Sequence, residues 1–405
     1  MRVLYLDSKF GNPRASVHAR GYKFAQRLRE RGHDVTIVGR DSGALPLEGA
    51  KNRRGFVRGE LDGLDVALLR VPYRQSFSKW RRMLSYGGFM AAATVAGTAL
   101  GSADVVVASS SPLSTGVSGS GIARLRRAPF VFEVLDLWPA VPVALGVLTR
   151  EPEIRAAEWL ERRLYAAAAR VVVCSEGMAA SLRERGIPER KIVLVPNFAD
   201  VEHFRPGLAD PGFRARHGLD GKFVALYAGA MGISNGVGQL ADAAAALREA
   251  GDDSVVIAVA GNGTERARLE QQARDLPNLL MLPDVPRDEI PKVVGAADAT
   301  MTVFAPVRAL EVNSPNKFFD SLAAGKPTVV NVNGWLRRLV EENRAGVYAP
   351  AGDARALANA LRELAANPEA AAEMGRNARA LAEREFAASL LADRFADTVE
   401  QAAAE

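Results

Sequence analysis

Short apolar runs alternate with longer amphipathic stretches along most of this chain. Leu4 to Leu6 is apolar, a helical spacing of apolar positions follows from about Val17 to Arg31, and Val35 to Val38 is apolar again. Short apolar runs predict buried strands, and apolar positions three or four residues apart predict an amphipathic helix. The start of the chain is therefore predicted to form a strand–helix–strand unit of a parallel sheet.

The alternation continues to about residue 195 and begins again at residue 223. The further strand-like runs of the first part are 66–70, 105–108, 130–134, 171–174 and 192–196. Those of the second part are 223–229, 255–260, 279–282, 299–304 and 328–331. Strands that alternate with helices in this way are typical of doubly wound α/β domains.

A chain of 405 residues is too long for one compact core, so the pattern predicts two domains. We expect two facing Rossmann-like parallel-sheet domains with a cleft between them, lined by loops at the carboxyl ends of the strands. The predicted parts are a first domain (1–195), a proline-bounded linker (196–210), a second domain (211–380) and a terminal helix (381–405). The terminal helix is expected to pack back towards the first domain.

Composition narrows the class of protein. Apolar residues make up 48% and charged residues 24%, as in soluble globular proteins. The single cysteine, Cys174, excludes a disulfide framework. The first residues are interrupted by charge too soon for a signal peptide, so a cytoplasmic protein is expected.

The net charge of +5 is concentrated as a positive excess in the first half of the chain. Residues 73–86 interleave arginine and lysine with tyrosine, phenylalanine and tryptophan. This pattern favours peripheral contact with an anionic membrane surface, here the inner face of the plasma membrane. The alternative is a solvated basic face. No nucleic-acid-binding module accompanies the charge, so no nucleic-acid partner is predicted.

Two glycine turns of the second part follow strands and suit a nucleotide diphosphate, because glycine lets backbone amides approach a phosphate closely. The candidate donor-binding residues are Gly229, Gly232 and Asn235 in the first turn, and Gly261 and Gly263 in the second. Any tight strand-to-helix connection uses glycine, so each turn alone is weak evidence. Their recurrence at strand ends in one half of the chain favours a donor site.

A third loop leads into a predicted helix that Gly325 and Pro327 end. Its candidate donor-binding residues are Ser314, Pro315, Asn316, Lys317 and Asp320. Proline suits the first helical turn, where free amides bind phosphates, and a carboxylate one turn later can bind sugar hydroxyls. The alternative is an ordinary surface helix with a solvated lysine and aspartate.

In the first part, Asp136 and Trp138 follow a strand. The aspartate could hold a sugar hydroxyl, and the tryptophan could stack on a sugar face. The alternative is a buried tryptophan with a helix-capping aspartate. Glu133 is expected to point away from Asp136, because neighbouring strand positions alternate between the faces of a sheet.

Other kinds of chemistry find little support. Gly11 stands without the two partner glycines of a dinucleotide-binding fingerprint, so a nicotinamide dehydrogenase is disfavoured. No pair of histidines has metal-ligand spacing, and no strand-to-helix turn carries a nucleophile elbow. His18, at the start of the first helix, is the one histidine that we expect near the cleft.

Several short motifs stand in a characteristic order. They are Arg31-Gly32-His33-Asp34-Val35, Pro196-Asn197-Phe198-Ala199-Asp200, the turn from Gly229 to Gly232, and the segment from Asp320 to Pro327. Together they resemble the retaining family 4 glycosyltransferases over essentially the whole chain. Asp136-Leu137-Trp138-Pro139 and Ser314-Pro315-Asn316-Lys317 resemble more narrowly the branch with the N-acetyl-fucosamine transferases of bacterial surface polysaccharides.

The resemblance implies the GT-B fold and a nucleotide sugar, most often linked to UDP, on the second domain. It implies an acceptor on the first domain, such as a sugar on a lipid diphosphate, in cell-envelope polysaccharide biosynthesis. No divalent metal and no other cofactor is expected, because helix N-termini and cationic side chains would carry the diphosphate charge.

The sequence departs from the family pattern at five positions. Asp320 replaces the second of two glutamates, Val312 the first, Ser234 and Asn235 an arginine and a lysine, and Leu135 a histidine. Lys317 is expected to supply the positive charge lost elsewhere.

We therefore expect a retaining glycosyltransferase, a hexosyl- or N-acetylaminosugar transferase. Asp136 and Lys317 are its predicted catalytic residues, and Gly11, His18 and Trp138 lie on its predicted acceptor side. The alternatives are a nucleotide-sugar epimerase of the same fold and a non-catalytic sugar-binding protein.

Overall fold

The structure is a computed structural model that describes residues 1–12, 19–43, 45–53, 55–74, 77–110 and 112–405. The chain forms two compact units. The first contains Met1–Val195 and Ser389–Glu405, and the second contains Pro196–Ala388. The two predicted α/β domains are thereby confirmed. The residues predicted as a linker, 196–210, belong to the second unit. Of the predicted terminal helix, residues 381–388 belong to the second unit and residues 389–405 to the first.

The first unit is built on a nine-stranded sheet in the order β3-β4-β5-β2-β1-β6-β7-β8-β9. Its strands are β1 (Arg2–Asp7), β2 (Asp34–Arg40), β3 (Glu48–Arg53), β4 (Phe56–Leu61), β5 (Leu64–Leu69), β6 (Val105–Ser109), β7 (Phe130–Val134), β8 (Arg170–Val173) and β9 (Ile192–Leu194). The central strand β1 is parallel to β2 and β6, with Leu4 opposite Thr36 and Val106. Its last five residues are buried, as its run of apolar positions predicts.

The sequence pattern missed one part of this sheet. Strands β3 and β4 are antiparallel to each other, and β4 is antiparallel to β5. All six residues of β3 are exposed, and Glu48, Lys51 and Arg53 are among them. An exposed polar edge strand has no apolar run or alternation, so periodicity could not reveal it.

The helices of the first unit cover the sheet. They are α1 (Arg20–Glu30), α2 (Lys79–Ala99), α3 (Ser114–Arg126), α4 (Ala140–Ala144), α5 (Glu151–Ala167), α6 (Glu176–Glu184) and the terminal helix of the chain, α15 (Ala388–Ala404), whose first residue still belongs to the second unit. Within the described residues no helix is both long and apolar enough to cross a membrane.

The terminal helix α15 is fixed to α1 by rings and by ion pairs. The Phe395 ring stacks on those of Phe24 and Tyr5, with centroid distances of 4.4 and 5.8 Å. Arg27 donates two hydrogen bonds of 2.7 Å to the carboxylate of Asp393. The apolar contacts between the two helices bury area, and the paired charges fix their register.

The second unit is built on a six-stranded parallel sheet in the order β12-β11-β10-β13-β14-β15. Its strands are β10 (Phe223–Ala228), β11 (Val255–Ala260), β12 (Leu279–Met281), β13 (Ala299–Thr302), β14 (Thr328–Val330) and β15 (Gly346–Tyr348). Its helices are α7 (Phe213–Arg216), α8 (Gly238–Glu249), α9 (Arg266–Ala273), α10 (Ile290–Ala296), α11 (Asn316–Ala323), α12 (Trp335–Glu342), α13 (Ala354–Ala366) and α14 (Pro368–Leu381). The loops after β10, β11 and β13 lie at the carboxyl edge of this sheet, where ligands bind in open α/β folds.

Candidate functional site

The two glycine turns of the second unit pack against each other. The amide of Gly229 donates to the carbonyl of Ala260 at 2.9 Å, and the amide of Met231 donates to that of Asn262 at 2.9 Å. A Cβ atom on Gly261 would lie 1.9 Å from the carbonyl oxygen of Gly229. The closeness of the two backbones therefore requires glycine at 261.

Lys317 lies on the first of these turns. A Cβ atom on Gly229 would be 2.8 Å from Cε of the lysine, so this position too needs a residue without a side chain. The ammonium group donates a 2.6 Å hydrogen bond to the hydroxyl of Tyr227 and lies 3.9 Å from the centroid of that ring. The tyrosine hydroxyl in turn donates to the carbonyl of Ala230 at 2.5 Å. The cation of α11 is thereby fixed beside a glycine turn of β10.

Burial lowers the pKa of Lys317 to about 7. The cause is desolvation, which disfavours the charged form of an amine. An anion placed beside this ammonium would favour the charged form and raise the pKa again. Lys317 can therefore respond to a bound phosphate by taking up a proton near neutral pH.

The start of α11 is well defined. Pro315 precedes the helix in an extended conformation, and its carbonyl accepts from the amide of Phe318 at 3.1 Å. The side chain of Asn197 donates a short hydrogen bond to the carbonyl of Ser314, which ties the first residues of the second unit to this loop. Within the described part of the chain, the buried hydroxyl of Ser314 and side-chain oxygen of Asn313 have no hydrogen-bond partner.

Asp320 lies one turn into α11 and is half-buried. Its pKa is raised to about 7, chiefly by burial; the guanidinium of Arg287 lowers the pKa, and the charge of Asp200 raises it. Burial lowers the pKa of Arg287, while the two carboxylates raise it. A carboxyl group that titrates near neutrality can act as acceptor or donor of a hydrogen bond to a sugar hydroxyl.

Asn235 shapes the first glycine turn. Its side-chain oxygen accepts from the amide of Gly232 at 3.1 Å, and its own amide donates to the carbonyl of Gly232 at 2.9 Å. The carbonyl of Ser234 accepts from the amide of Ala305 at 3.0 Å. These contacts hold the turn closed, and the donor-binding roles predicted for Gly232 and Asn235 stay predictions.

The first unit has a buried charge pair at the carboxyl edge of its own sheet. Glu133, 1% exposed, accepts from Nε of Arg20 at 2.6 Å and from the hydroxyl of Tyr5 at 2.8 Å, and Ser109 donates a further short hydrogen bond. Arg20 also donates to the carbonyl of Val195 at 2.7 Å. The network joins α1, three strands and the last residue of the first unit.

Two further titratable groups surround this pair. Burial raises the pKa of Asp7 to about 6, against an opposing hydrogen bond from the amide of Lys9. Burial also raises the pKa of the Cys174 thiol to about 12, so this cysteine is a neutral core residue near pH 7. Helix packing adds to the crowding, since a Cβ atom on Gly21 would lie 2.4 Å from the Asp7 carboxylate.

The first unit contains the predicted catalytic residue Asp136 and the predicted acceptor-side residues Gly11, His18 and Trp138. Asp136 and Trp138 are half-buried in the loop between β7 and α4, and Gly11 is buried after β1. The residue before α4 is Pro139, so Asp136 is not the N-cap residue of that helix. His18 lies outside the described residues. The roles of these residues stay predictions.

Tyr227, Arg287 and the pairing of Arg20 with Glu133 were not predicted from the sequence. Tyr227 stands within an apolar strand and is indistinguishable from a core residue by pattern. Arg287 stands in a polar turn before α10 without any motif. Glu133 interrupts an apolar strand. A buried carboxylate needs a charged or hydrogen-bonding partner, so this acid in an apolar run was a sequence signal for a buried ion pair. Within the described residues, no group of three or more His, Cys, Asp or Glu side chains is placed to hold a metal ion.

Two family models match the chain, one in each half. The model of a glycosyl transferase 4-like domain matches residues 17–197, and the model of glycosyl transferases group 1 matches residues 211–381. The two matches together include every predicted catalytic, donor-binding and acceptor-side residue except Gly11.

Curated relatives match part of the chain. The alpha-D-kanosaminyltransferase of Streptomyces kanamyceticus is 27% identical over 252 residues, which are 59% of this chain and 62% of the relative. The GDP-mannose-dependent alpha-(1-6)-phosphatidylinositol dimannoside mannosyltransferase of Mycobacterium tuberculosis (strain ATCC 25177 / H37Ra) is 29% identical over 203 residues, 49% of this chain and 50% of the relative. The matches thus span between half and two thirds of the relatives' own lengths.

Solved structures match over nearly the full length. HepE of Anabaena, in complex with UDP and glucose, has a TM-score of 0.69 at 17% identity and covers 99% of this chain and 100% of HepE. Sucrose-phosphate synthase from Thermosynechococcus elongatus has a TM-score of 0.76 at 17% identity, covering 99% and 98%. At these identities the likeness shows the fold, which agrees with the two parallel-sheet domains.

Proposed function

The chain belongs to the GT-B glycosyltransferase family, with a family-4-like first domain and a group 1 second domain, and we propose that it is a retaining transferase. It moves a sugar from a nucleoside diphosphate sugar to a polysaccharide or lipid-linked oligosaccharide precursor. The observation that carries the proposal is the position of Lys317. This residue stands at the start of α11, and its side chain packs against Gly229 in the first glycine turn.

The donor's diphosphate binds at this position. Three features of the second unit suit it: a cation, a glycine turn that allows close approach, and a helix N-terminus. The buried Ser314 hydroxyl adds a polar group that lacks a partner among the described residues. The Asp320 carboxyl, one helical turn further, binds hydroxyls of the nucleotide ribose. No divalent metal is required, because the lysine and the helix end carry the charge.

The reaction is a front-face substitution at the anomeric carbon. The bond between this carbon and the diphosphate oxygen breaks while an acceptor hydroxyl attacks from the same side. The departing phosphate oxygen takes the hydroxyl proton, so no separate protein base is needed. Lys317 stabilises the negative charge that develops on the leaving group, which is the kind of interaction that lowers a barrier most. Asp136, at the carboxyl edge of the first sheet, positions the reacting sugars.

Short motifs and the names of similar proteins support the proposed base and sugar of the donor. The motifs Asp136-Leu137-Trp138-Pro139 and Ser314-Pro315-Asn316-Lys317 favour UDP and an N-acetylaminosugar. HepE was solved with UDP, whereas the Mycobacterium tuberculosis relative is named for GDP-mannose. The lipid in that relative's name supports a lipid-linked acceptor. A donor panel must therefore contain both bases.

The test is nucleotide release from a panel of UDP- and GDP-sugars by the wild type and by Lys317→Met. We expect release with at least one donor, and a loss of about 10²–10³-fold in kcat for the variant, as for other groups that stabilise transition-state charge. Lys292→Met is the matched control, because this lysine of the same unit is 43% exposed and pairs only locally with Glu289. Turnover by Lys317→Met equal to the control would refute the assignment.

The same panel separates the other two functions. An epimerase would convert the nucleotide sugar into its epimer without releasing nucleotide. A sugar-binding protein would bind the donor without any turnover. This alternative is tested because Val312 stands where the family has its first glutamate.

A further inference from the structure

A cavity of about 460 Å³ lies at the amino edge of the second sheet, opposite the edge that carries the glycine turns. It stands where three parallel strands begin, since Phe223 is the first residue of β10, Asp298 precedes β13 and Pro327 precedes β14. Its other walls include the end of α11 and one face of α14, so the cavity belongs wholly to the second unit. It is therefore separate from the position proposed for the donor's diphosphate, which is at the other end of α11.

Two glycines hold α14 against the end of α11 and so shape this amino-edge cavity. Gly325 follows α11 with a φ of +65°, and a Cβ atom there would lie 3.1 Å from Cγ of Pro206. A Cβ atom on Gly375 of α14 would collide with the carbonyl oxygen of Gly325. Only residues without a side chain allow this approach. The packing therefore brings the cations of α14 to the same cavity as the lysine that follows α11.

That lysine, Lys326, brings a partly desolvated ammonium group to the cavity. It donates hydrogen bonds of 2.8 and 2.6 Å to the carbonyls of Gly295 and Ala297, which leaves one of its three N–H donors for another partner. Burial lowers the pKa of Lys326, while the charge of Asp298 raises it and that of Arg214 lowers it. The Asp298 carboxylate is already paired, because it accepts from Arg214 at 2.6 Å. An anion in the cavity would favour the charged form of the lysine.

Two arginines of α14 add further donors to the cavity. Arg379 donates from Nη1 to the carbonyl of Ala323 at 2.6 Å and from Nε to Glu383 at 2.6 Å. Its Nη2 atom donates no hydrogen bond to any residue that the structure describes. Arg376, one turn earlier, is exposed, and its side chain has no hydrogen-bond or ion-pair partner in the described part of the chain. Guanidinium groups with unused donors suit phosphate oxygens, which arginine can bind through two parallel hydrogen bonds.

We propose that the amino-edge cavity is a second ligand site, which binds a small phosphorylated sugar with its phosphate on the three cations. The lining also contains the rings of Phe223, Pro327 and Pro368, which can pack against the C–H groups of a sugar ring. The volume falls in the range of about 300–1,000 Å³ that is usual for small-molecule pockets. A bare inorganic anion would satisfy the cations but would leave these apolar rings without a partner. The inference does not depend on the proposed transferase reaction.

The experiment is isothermal titration calorimetry of the full chain with glucose 6-phosphate, with glucose and with inorganic phosphate. We expect glucose 6-phosphate to bind about tenfold or more tightly than either of the other two probes, because only it uses both the cations and the apolar rings. Arg376→Glu should lower its affinity by about tenfold or more, since it removes a charged hydrogen bond and adds a repelled charge. Arg274→Glu is the matched control, because this exposed arginine ends α9, which leads to the edge strand β12.

Two further variants locate the bound probe. Ala372→Trp fills the cavity from an exposed position of α14 without changing the charge, and it should weaken binding as Arg376→Glu does. Lys317→Met should bind glucose 6-phosphate like the wild type, because Lys317 lies at the opposite edge of the sheet. An unchanged thermal midpoint without probe shows that each variant is folded. The proposal is overturned if the wild type does not bind glucose 6-phosphate, or binds inorganic phosphate equally well. It is also overturned if Arg376→Glu or Ala372→Trp binds like Arg274→Glu, or if Lys317→Met abolishes binding.

Discussion

The binding of a nucleoside diphosphate should be coupled to proton uptake by Lys317. Its pKa of about 7 in the unliganded protein means that about half of the molecules carry a neutral amine at pH 7. A diphosphate beside the amine favours the ammonium and raises its pKa. If the bound pKa exceeds about 9, uptake is about 0.5 proton per nucleotide at pH 7 and about 0.9 at pH 8.

The sign of the effect follows from the direction of the shift. The bound state holds more protons than the free state, so nucleotide affinity falls as the pH rises through 7. Below about pH 6 the amine is already charged in the free protein, and the coupling vanishes. Asp320, whose pKa is also about 7, works in the opposite direction if a sugar hydroxyl favours its charged form, because binding then releases a proton.

Isothermal titration calorimetry with UDP or GDP in buffers of different ionisation enthalpy measures the uptake directly. The comparison between wild type and Lys317→Met isolates the contribution of the lysine, since Asp320 is present in both. We expect the difference to be near 0.5 proton at pH 7 and to grow at pH 8. Equal uptake by the two proteins would show that the ammonium does not contact the bound phosphates.

Further predictions concern stability and affinity. In urea unfolding, Lys317→Met should raise the free energy of unfolding more at pH 6 than at pH 9, and the two increases should differ by at most about 2–3 kcal/mol. The reason is that the folded state buries an amine that stays charged in the unfolded chain up to about pH 10. An equal increase at both pH values would contradict this. Gly261→Ala should cost about 3 kcal/mol or more by forcing a methyl group into the neighbouring carbonyl, whereas Gly238→Ala, with open space around it, should leave the midpoint unchanged. Asp320→Ala should weaken nucleotide binding about tenfold or more in calorimetry through loss of a charged hydrogen bond, and unchanged affinity would remove it from the site. Glu133→Gln should cost about 3–5 kcal/mol by leaving a buried arginine without its counter-charge, and a cost below 1 kcal/mol would show that water reaches the pair.

The sequence pattern predicted the sheets well where strands are buried on both faces. Strands β10 and β11 read as continuous apolar runs, and the structure finds them paired in parallel with Ala225 opposite Ile257. The hairpin of β3 and β4 escaped because its first strand is polar and exposed. Periodicity reports burial, and an edge strand that is not buried gives no such signal.

Some residues of the candidate site were predictable from local sequence, and their partners in other elements were not. Lys317 and Asp320 were found because they stand in a polar helix start after a strand, where local signals are strong. Tyr227 was not predicted, because the apolar pattern of its strand does not show that its hydroxyl contacts Lys317 of α11. Arg20 and Glu133 are 113 positions apart, and only the packing of α1 on the sheet brings them together. Partners that are distant in sequence are fixed by the fold and not by local pattern.

Retaining transfer and the role of Lys317 are tested together by proton NMR of donor and product during turnover of an α-linked nucleotide sugar that the panel identifies. We expect free nucleotide and an α-linked product to appear together in the wild type, and both to disappear in Lys317→Met but persist in Lys292→Met. A β-linked first product, an epimerised nucleotide sugar without released nucleotide, or full turnover by Lys317→Met would contradict this expectation.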